Sequence, residues 1–440
     1  MRIYNWGKFP VVETQIQNVY DRVDLINILE RRDQLIPRGL GRSYGDSSLN
    51  EFIISSTKLN HFIDFDVVNG ILKCEAGTSF DDILKLIVPK GWFLPVTPGT
   101  KYVTLGGAIA SDIHGKNHHK EGSLYNYILE LELMLANGRI IKCSPELNTD
   151  LFKATCGGMG LTGFILSAAF KLKRIESSYI SQATFKAKNI DVAFKLFEET
   201  KNSTYSVAWL DCLAKNNSLG RSILMTGEHI KIKDLLPKFL NQPLITSKKS
   251  SLTIPINLPG FILNNLSVKV FNYYYYRKAS DKKQIAIHYE PFFYPLDKIQ
   301  NWNRLYGRSG FCQYQFILPL KNSYEGLKEI LIKISQKKLG SFLAVLKLYG
   351  KQDSLLSFPM EGFSAALDFP VTKKLFPLLD ELDELVSKYS GRLYLTKDSR
   401  MNRDFFHSTY QGINEFIEIK KMYDPDNMFR SLQSMRLGIH

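Results

Sequence analysis

A glycine-rich stretch, Arg38-Gly-Leu-Gly-Arg-Ser-Tyr-Gly-Asp46, lies early in the 440-residue chain. Closely spaced glycines let the backbone turn several N–H groups toward one anion, and Arg38, Arg42 and Ser43 add further donors. The stretch departs from the G-x-G-x-x-G fingerprint, because Tyr44 takes the place of the third glycine and no helical pattern follows. By itself it is therefore equally compatible with a phosphate-binding loop and with a purely structural turn, and it argues against a Rossmann fold.

Two more glycine-rich segments follow in the first 165 residues. Pro98-Gly-Thr100 leads into Gly106-Gly-Ala-Ile-Ala-Ser-Asp-Ile-His-Gly115, whose small residues let the backbone approach a flat ligand closely. Cys156-Gly-Gly-Met-Gly-Leu-Thr-Gly163 precedes a run of apolar residues that predicts a strand. Each segment alone is compatible with a tight turn. Together, the three glycine segments indicate that the main chain surrounds one extended ligand.

The residues around these segments predict an α+β domain of short strands. Asn69-Gly70 and Asn137-Gly138 each separate two apolar runs, which predicts two hairpins. The spacing of apolar residues over Phe80–Val88 is helical, and Gly163–Leu172 is typical of a strand. Because the strands do not alternate regularly with helices, we expect an α+β rather than an α/β domain, over residues 1–176.

The pattern changes after residue 176 and predicts a second domain over residues 177–390, with an antiparallel sheet flanked by helices. Residues 240–290 contain scattered prolines and the run Tyr273–Tyr276, and we expect a mobile loop there. Residues 391–440 are expected to return, mostly as helices, to the first domain and the active site. The predicted strands and helices of this half are Tyr205–Asp211, Gln313–Leu318, Phe342–Tyr349, Phe363–Phe369, Ile190–Glu199, Tyr324–Lys338 and Val371–Tyr389.

Composition narrows the possible partners. The net charge of +14 suits a phosphorylated substrate or an anionic membrane face, and no nucleic-acid-binding module is recognisable, so nucleic acid is not expected. The five cysteines are scattered and include no CxxC pair, which argues against a disulfide framework. His114, His118 and His119 lack a well-spaced carboxylate, so no metal site is predicted. The residues from Met1 to Lys8 do not resemble a signal peptide, and we expect a cytoplasmic protein.

Residues 12–175, with the three glycine segments in this order, resemble the FAD-binding domain of the vanillyl-alcohol oxidase family, the PCMH type. In that family the first loop embraces the pyrophosphate and the second segment runs along the rest of FAD. Many members join FAD covalently to a histidine of the first loop; Arg42 stands at that place here, which implies non-covalent FAD. The resemblance assigns FAD contacts to Arg38, Gly39, Leu40, Gly41, Arg42, Ser43, Tyr44, Pro98, Gly99, Thr100, Gly106, Gly107, Ala108, Ser111, Asp112, His114, Gly115, Asn117, Gly160, Ile165 and Tyr394.

Motifs along the rest of the chain resemble the decaprenylphosphoryl-β-D-ribose 2′-oxidase subgroup of this family, the flavin half of a 2′-epimerase. The resemblance implies oxidation of the 2′-hydroxyl of a polyprenylphosphoryl-β-D-ribose to the 2′-keto sugar. An NADH-dependent short-chain reductase would then complete the epimerisation to an arabinose donor for cell-envelope glycans. The motifs are Ala110-Ser-Asp-Ile-His-Gly-Lys-Asn-His-His119, Tyr294-Pro-Leu-Asp297, Gln313-Tyr-Gln-Phe316, Leu346-Lys-Leu-Tyr-Gly350 and Gly391-Arg-Leu-Tyr-Leu-Thr-Lys-Asp-Ser-Arg400.

The same resemblance assigns roles in the reaction. Lys397 is the first candidate for handling the hydroxyl proton or stabilising charge on the reduced flavin, and Tyr44 and His114 are weaker candidates. A substrate-binding role falls to Trp209, Gln313, Gln315, Lys347, Ser364 and Lys397.

Two positions depart from the mycobacterial members of the subgroup. Ala366 stands where those proteins carry the cysteine attacked by nitroaromatic inhibitors, and Ser364 stands where they carry an asparagine. A hydride transfer needs no thiol, so the absence of the cysteine leaves the expected reaction intact. The asparagine replacement bears on fine substrate preference.

Two other functions stay open on the sequence alone, and so does the role of residues 240–290. The chain could be a soluble sugar, alditol or aldonolactone oxidase of the same flavin family that produces hydrogen peroxide, or a binding protein that has lost redox activity. Lys248-Lys249 and Leu258-Pro-Gly-Phe-Ile-Leu263 are equally compatible with peripheral attachment to the inner membrane face and with a disordered surface loop.

Overall fold

The computed structural model describes residues 1–246, 252–260, 262–352 and 354–440. Its strands are β1 Arg2–Ile3, β2 Val12–Glu13, β3 Gln15–Asn18, β4 Ile36–Arg38, β5 Phe52–Ser55, β6 Phe62–Asp66, β7 Ile71–Glu75, β8 Trp92–Phe93, β9 Ile128–Met134, β10 Ile140–Cys143, β11 Phe164–Lys171, β12 Lys173–Arg174, β13 Tyr179–Ala187, β14 Tyr205–Leu210, β15 Ser222–His229, β16 Leu252–Thr253, β17 Lys283–His288, β18 Ile299–Gln300, β19 Phe311–Pro319, β20 Ala344–Tyr349, β21 Gly362–Pro370 and β22 Arg392–Leu393. Its helices are α1 Arg22–Leu29, α2 Phe80–Ile87, α3 Leu105–Ala110, α4 His118–Glu121, α5 Thr149–Thr155, α6 Ile190–Glu199, α7 Asn265–Lys278, α8 Tyr289–Phe293, α9 Leu320–Lys337, α10 Leu375–Lys388, α11 Arg403–Thr409, α12 Ile413–Tyr423 and α13 Leu432–Leu437.

The amino-terminal part of the chain is built around two small sheets, with the two-stranded pairs β1-β2 and β12-β8 beside them. A parallel sheet has the order β3-β5-β4, and an antiparallel sheet has the order β10-β9-β11-β7-β6. Both predicted hairpins are confirmed, because Gly70 and Gly138 turn with the positive φ angles of 67° and 76° that favour glycine. The helix predicted over Phe80–Val88 is α2, with Ser79 as its N-cap.

An eight-stranded antiparallel sheet dominates the second half of the chain. Its order is β17-β13-β15-β14-β20-β21-β19-β22. One face packs against α6, α9 and α10 through a large apolar cluster that includes Phe316, Leu346 and Leu367. Because side chains alternate along a strand, the residues between these face the other way. That second face carries the predicted substrate-binding residues. The α+β class with an antiparallel second sheet is confirmed.

The region 240–290 contains more regular structure than its sequence suggests. The tyrosine run lies in α7, which begins at the N-cap Asn264 with a capping box formed with Ser267, and β17 joins the edge of the large sheet. Lys248 and Lys249 lie outside the described residues, and mobility of the region remains a prediction. The helix predicted from Val371 begins at Leu375, because β21 continues to Pro370.

The carboxy-terminal segment packs back onto the first domain. The Leu35 amide donates to the Met428 carbonyl and the Arg430 amide to the Leu35 carbonyl, both at 2.9 Å. In α13, the Arg436 guanidinium contacts the carboxylates of Asp46 and Asp398, each at 2.8 Å. This double ion pair ties the first glycine segment to the turn that follows β22. The five cysteines are all buried and unpaired.

Candidate active site

The three glycine segments lie against one another. A Cβ atom on Gly39 would stand 2.1 Å from Thr104 Oγ1 of the second segment, so only glycine fits this approach. The amides of Gly157 and Met159 in the third segment donate to the carbonyls of Ile109 (3.0 Å) and Ala110 (2.8 Å). The fold thus assembles one continuous backbone surface from segments that lie far apart in the chain.

The first glycine segment leaves backbone donors free. Among the hydrogen bonds of the described part of the chain, none is donated by the backbone amides of residues 40–43. Gly41 has a φ angle of 62°, which is accessible to glycine. The Arg38 guanidinium is engaged inside the protein, where it donates to the Tyr4 carbonyl (3.0 Å), and burial lowers its pKa to about 10. Arg42 lies over the Trp6 ring, 4.1 Å from the ring centroid. The loop therefore offers main-chain N–H groups to an anion.

The second segment adds open space beside the donors. A Cβ atom on Gly99 would meet nothing within 4 Å, and one on Gly107 would meet only Thr104. Gly106 instead packs closely on Ala76. Free amides next to glycines that face open space fit a ligand with a pyrophosphate and a flat ring, as the resemblance to FAD-binding domains implies. The residues present therefore fit FAD.

Several residues assigned to FAD contacts have internal roles. The Asp112 carboxylate accepts hydrogen bonds from the Tyr125 amide (3.0 Å) and the Ser357 hydroxyl, and Asn117 donates to the Pro95 carbonyl (2.7 Å). Gly115 packs on Asn117. The other assigned residues lie on or beside the three segments, in positions that range from buried to exposed: Leu40, Ser43, Pro98, Thr100, Ala108, Ser111, Gly160 and Ile165. Their contacts with FAD remain predictions.

The predicted substrate-binding residues share one face of the large sheet. In β19 and β21, Gln313 pairs with Asp368 and Gln315 with Ala366, while Lys347 of β20 pairs with Ser364. Residues that pair directly across antiparallel strands point to the same face. Trp209, on β14, pairs with Val345 and belongs to this face too. The fold therefore brings the predicted substrate-binding residues, which are scattered along the chain, into one patch.

Lys397 joins this patch to the glycine segments. Its ammonium lies over the Tyr44 ring, 3.6 Å from the ring centroid, and the Tyr44 amide donates to the Thr396 carbonyl (2.9 Å). Burial lowers the Lys397 pKa to about 7, partly opposed by the Asp368 carboxylate, which raises it, while Lys347 lowers it further. A lowered pKa lets the neutral amine form near neutral pH, where it can accept a proton.

Asp368 is a site residue that sequence reasoning missed. The side chain is fully buried, and its carboxylate accepts a hydrogen bond from the Gln313 amide (2.5 Å). Burial raises its pKa to about 7, with Gln313 and Lys397 acting in the opposite direction. A carboxylate inside the otherwise apolar run Ala365–Pro370 is the signal that could have identified it, since buried carboxylates are rare without a partner.

His114 lies in a buried aromatic cluster with Tyr349, Phe358 and Tyr394. Its ring centroid is 4.8 Å from that of Tyr394, and its Nε2 lies 3.2 Å from the Gln315 amide nitrogen. Burial, followed by the charge of Lys347, holds the His114 pKa well below its usual value, so the ring is neutral. Tyr394 donates its hydroxyl to the Ser111 carbonyl (2.9 Å), next to the second glycine segment.

Tyr44 is neutral as well, because burial and the charge of Asp368 raise its pKa. Of the three catalytic candidates, only Lys397 therefore has a pKa near neutrality. In the described part of the chain, no group of three metal-ligating side chains is assembled. We also find no helix there that is long and apolar enough to span a membrane.

Comparisons with known proteins give the following similarities. Residues 14–144 match the FAD binding domain family. The decaprenylphosphoryl-β-D-ribose oxidase of Mycolicibacterium smegmatis is 36% identical over all of this chain and 97% of its own length. A Streptomyces coelicolor protein from the mprA 5′ region is 28% identical over 81% of this chain and 99% of its own length. The mouse L-gulonolactone oxidase is more distant, 22% identical over 98% of this chain and 96% of its own length.

Proposed function

Because the chain belongs to the FAD-dependent decaprenylphosphoryl-β-D-ribose oxidase family, we propose that it oxidises the 2′-hydroxyl of a polyprenylphosphoryl-β-D-ribose to the 2′-keto sugar. The observation that carries the proposal is the position of Lys397. Its amine lies on Tyr44 of the first glycine segment and on the same side as the polar face of the large sheet. A proton acceptor thus stands between the FAD-binding surface and the patch that would hold the sugar.

The electrostatics of the patch suit a phosphodiester. Burial lowers the pKa of Lys347 to about 8, so this amine remains mostly charged at neutral pH. Lys116 donates a hydrogen bond to the Phe292 carbonyl, and burial, with the charge of Lys347, lowers its pKa to about 7. The partly desolvated ammonium of Lys347 favours an anionic group, because desolvation strengthens its attraction for one.

Oxidation of a secondary alcohol removes a hydride from carbon and a proton from oxygen. Bound FAD supplies the acceptor for the hydride. Neutral Lys397 accepts the hydroxyl proton on its Nζ atom, and Asp368 stabilises the resulting ammonium. In this proposal Gln313 and Gln315 orient the sugar hydroxyls, while the neutral ring of His114 and its aromatic neighbours exclude water; the supporting contacts are those of Gln313 with Asp368, of Gln315 with His114 and of His114 with Tyr394.

FAD is held without a covalent bond in this proposal. Position 42 is arginine, whose guanidinium packs on Trp6 and cannot form the histidyl–flavin bond of many relatives. Precipitation of the holoprotein with acid should leave the yellow flavin in the supernatant. Colour that remains in the pellet after washing would contradict non-covalent binding.

The 2′-keto product determines which class of enzyme must act after this one. A 2′-keto sugar reaches the arabinose configuration only by reduction from the opposite face, so we propose an NADH-dependent short-chain reductase as the functional partner. We also propose that the pair works at the cytoplasmic face of the inner membrane, because the lipid tail of the substrate resides in a bilayer.

To test the proposal, turnover by the holoprotein is measured with three compounds: a polyprenylphosphoryl ribose, L-gulono-1,4-lactone and a free alditol. Each compound is tested both under air and with a quinone as electron acceptor. We expect the prenyl-linked ribose to lose two hydrogens by mass spectrometry and to be preferred over the other two. Equal or better turnover of the lactone or alditol, with hydrogen peroxide as product, would instead favour an aldonolactone or alditol oxidase. A colourless protein that restores no activity with added FAD would contradict both.

A further inference from the structure

Helix α7 covers the large sheet with one face and leaves the other face exposed. On the inner side, Val268 is 2% exposed, and the Asn272 amide donates to the buried Asp211 carboxylate (2.7 Å). The Tyr275 ring lies 4.9 Å from the ring of Trp209, a predicted substrate-binding residue. These contacts fix the orientation of α7, so the direction of its outer face is determined.

The outer face of α7 is apolar and aromatic. Val270 follows Leu266 by four residues, and Tyr273 and Tyr274 follow Val270 by three and four, which places all of them on one stripe. Leu266 is 71% exposed and Tyr274 is 66% exposed. A cluster of large, solvent-exposed apolar side chains is typical of an interaction surface. We define the α7 outer face as these four residues together with Lys269, Arg277 and Lys278.

The charge of the region identifies the partner. Residues 235–280 contain six lysines and arginines and no aspartate or glutamate. Two of the six, Lys248 and Lys249, lie outside the described residues; Lys269, Arg277 and Lys278 are exposed on α7. Tyrosines at the level of lipid headgroups, with basic residues beside them, are typical of helices that lie on an anionic bilayer.

The segment that precedes α7 exposes apolar residues as well. Leu252 and Ile256 are exposed, while Ile254 between them packs against the cluster of Trp302 and Tyr306, which Tyr44 also contacts. The Leu258 amide donates to the Arg304 carbonyl (2.9 Å) and holds this segment in place. Through Ile254, the segment that precedes α7 therefore contacts the same cluster as Tyr44.

We propose that the α7 outer face binds the surface of an anionic lipid bilayer. Leu266, Val270 and the two tyrosines enter the headgroup region, and the three basic residues contact lipid phosphates. This proposal rests on the proposed function, because that function explains why the protein would approach a membrane: a prenyl-linked substrate must pass from the bilayer into the site. The physical argument for the surface itself, apolar exposure with one sign of charge, is independent of the reaction.

The experiment is flotation of the FAD-loaded full chain with vesicles of phosphatidylcholine alone or with about 30% phosphatidylglycerol, which gives the vesicle an anionic surface. We expect binding to the anionic vesicles only. The variant K269Q/R277Q/K278Q should lose about a hundredfold in partitioning, since each basic residue contributes about fivefold. The variant L266S/Y274S should lose binding while keeping its charge. The matched control K58Q/K90Q/K171Q removes three exposed lysines of the first domain and should bind like the wild type.

Activity on a water-soluble, short-chain phosphoryl ribose separates the two proposals. Membrane binding without oxidation of this substrate would contradict the proposed function and leave the surface standing. Oxidation without vesicle binding would overturn the surface alone. Equal binding of the wild type and the α7 variants would overturn it as well. A vesicle-free dimer that the α7 substitutions dissociate would assign the face to a second copy of the chain instead.

Discussion

Replacing Asp368 by asparagine should move the pH dependence of the oxidation step to lower pH. The Lys397 pKa is about 7 because burial lowers it, Asp368 raises it and Lys347 lowers it. The substitution Asp368→Asn would remove the one raising influence, and a base with a lower pKa loses its proton at a lower pH. Because neutral Lys397 accepts the hydroxyl proton, the rate should rise with pH and reach half of its plateau at the pKa of this amine.

The size of the shift follows from the same pair of residues. An opposite charge within a few ångströms shifts a pKa by about 1–3 units. Asp368 has a pKa of about 7 itself and is only partly ionised at neutral pH, so we expect the low end of this range. The half-maximum should therefore move from about pH 7 to about pH 6, which corresponds to about 1.4 kcal/mol. The two groups titrate as a coupled pair, so the measured midpoint belongs to the pair.

The assay is anaerobic stopped-flow reduction of the flavin, followed at about 450 nm between about pH 5.5 and 9. Lys347→Gln should move the midpoint in the opposite direction, because it removes a charge that lowers the Lys397 pKa. Asp66→Asn, in an exposed hairpin turn, is the matched control and should leave the midpoint in place. An unchanged or higher midpoint in Asp368→Asn would refute the coupling, and a rate that falls with pH would refute a neutral Lys397 as the proton acceptor.

Three further predictions concern single residues. Lys397→Ala should keep FAD bound and lower kcat by about 10²–10⁴-fold; a variant that retains a tenth of the wild-type kcat would exclude an essential role. Ala366, opposite Gln315, offers no thiol, so intact-mass spectrometry should show no adduct with nitroaromatic inhibitors at this position, whereas Ala366→Cys should form one. Burial lowers the pKa of His229 to about 3, so below about pH 6.5 the unfolded chain binds a proton that the folded chain does not. His229 therefore contributes a loss of stability of about 2 kcal/mol between pH 7 and pH 5, and His229→Phe should lose about that much less than the wild type over this range, as measured by urea unfolding at both pH values.

Local chemistry explains which elements could be predicted. Asn-Gly dipeptides specify tight hairpins, and the helix predicted over Ile190–Glu199 has these bounds in the structure because its N-cap Asn189 and its apolar spacing agree. Helix α7 escaped prediction because apolar and polar residues occur on both of its faces, which removes the contrast on which periodicity depends. Its outer face becomes visible only when the sheet is known to cover the inner one.

Two features could be predicted from the sequence by itself. The glycine segments predict a backbone surface for an anion, and the alternation of polar residues in Gln313–Gln315 predicts a strand with one polar face. Only the tertiary structure decided that Tyr44 and Lys397 touch, and that Asp368 lies opposite Gln313. The reason is physical. Turn chemistry and side-chain alternation act over a few residues, whereas the order of strands in a sheet and the docking of the carboxy-terminal segment depend on packing between residues that are far apart in the chain.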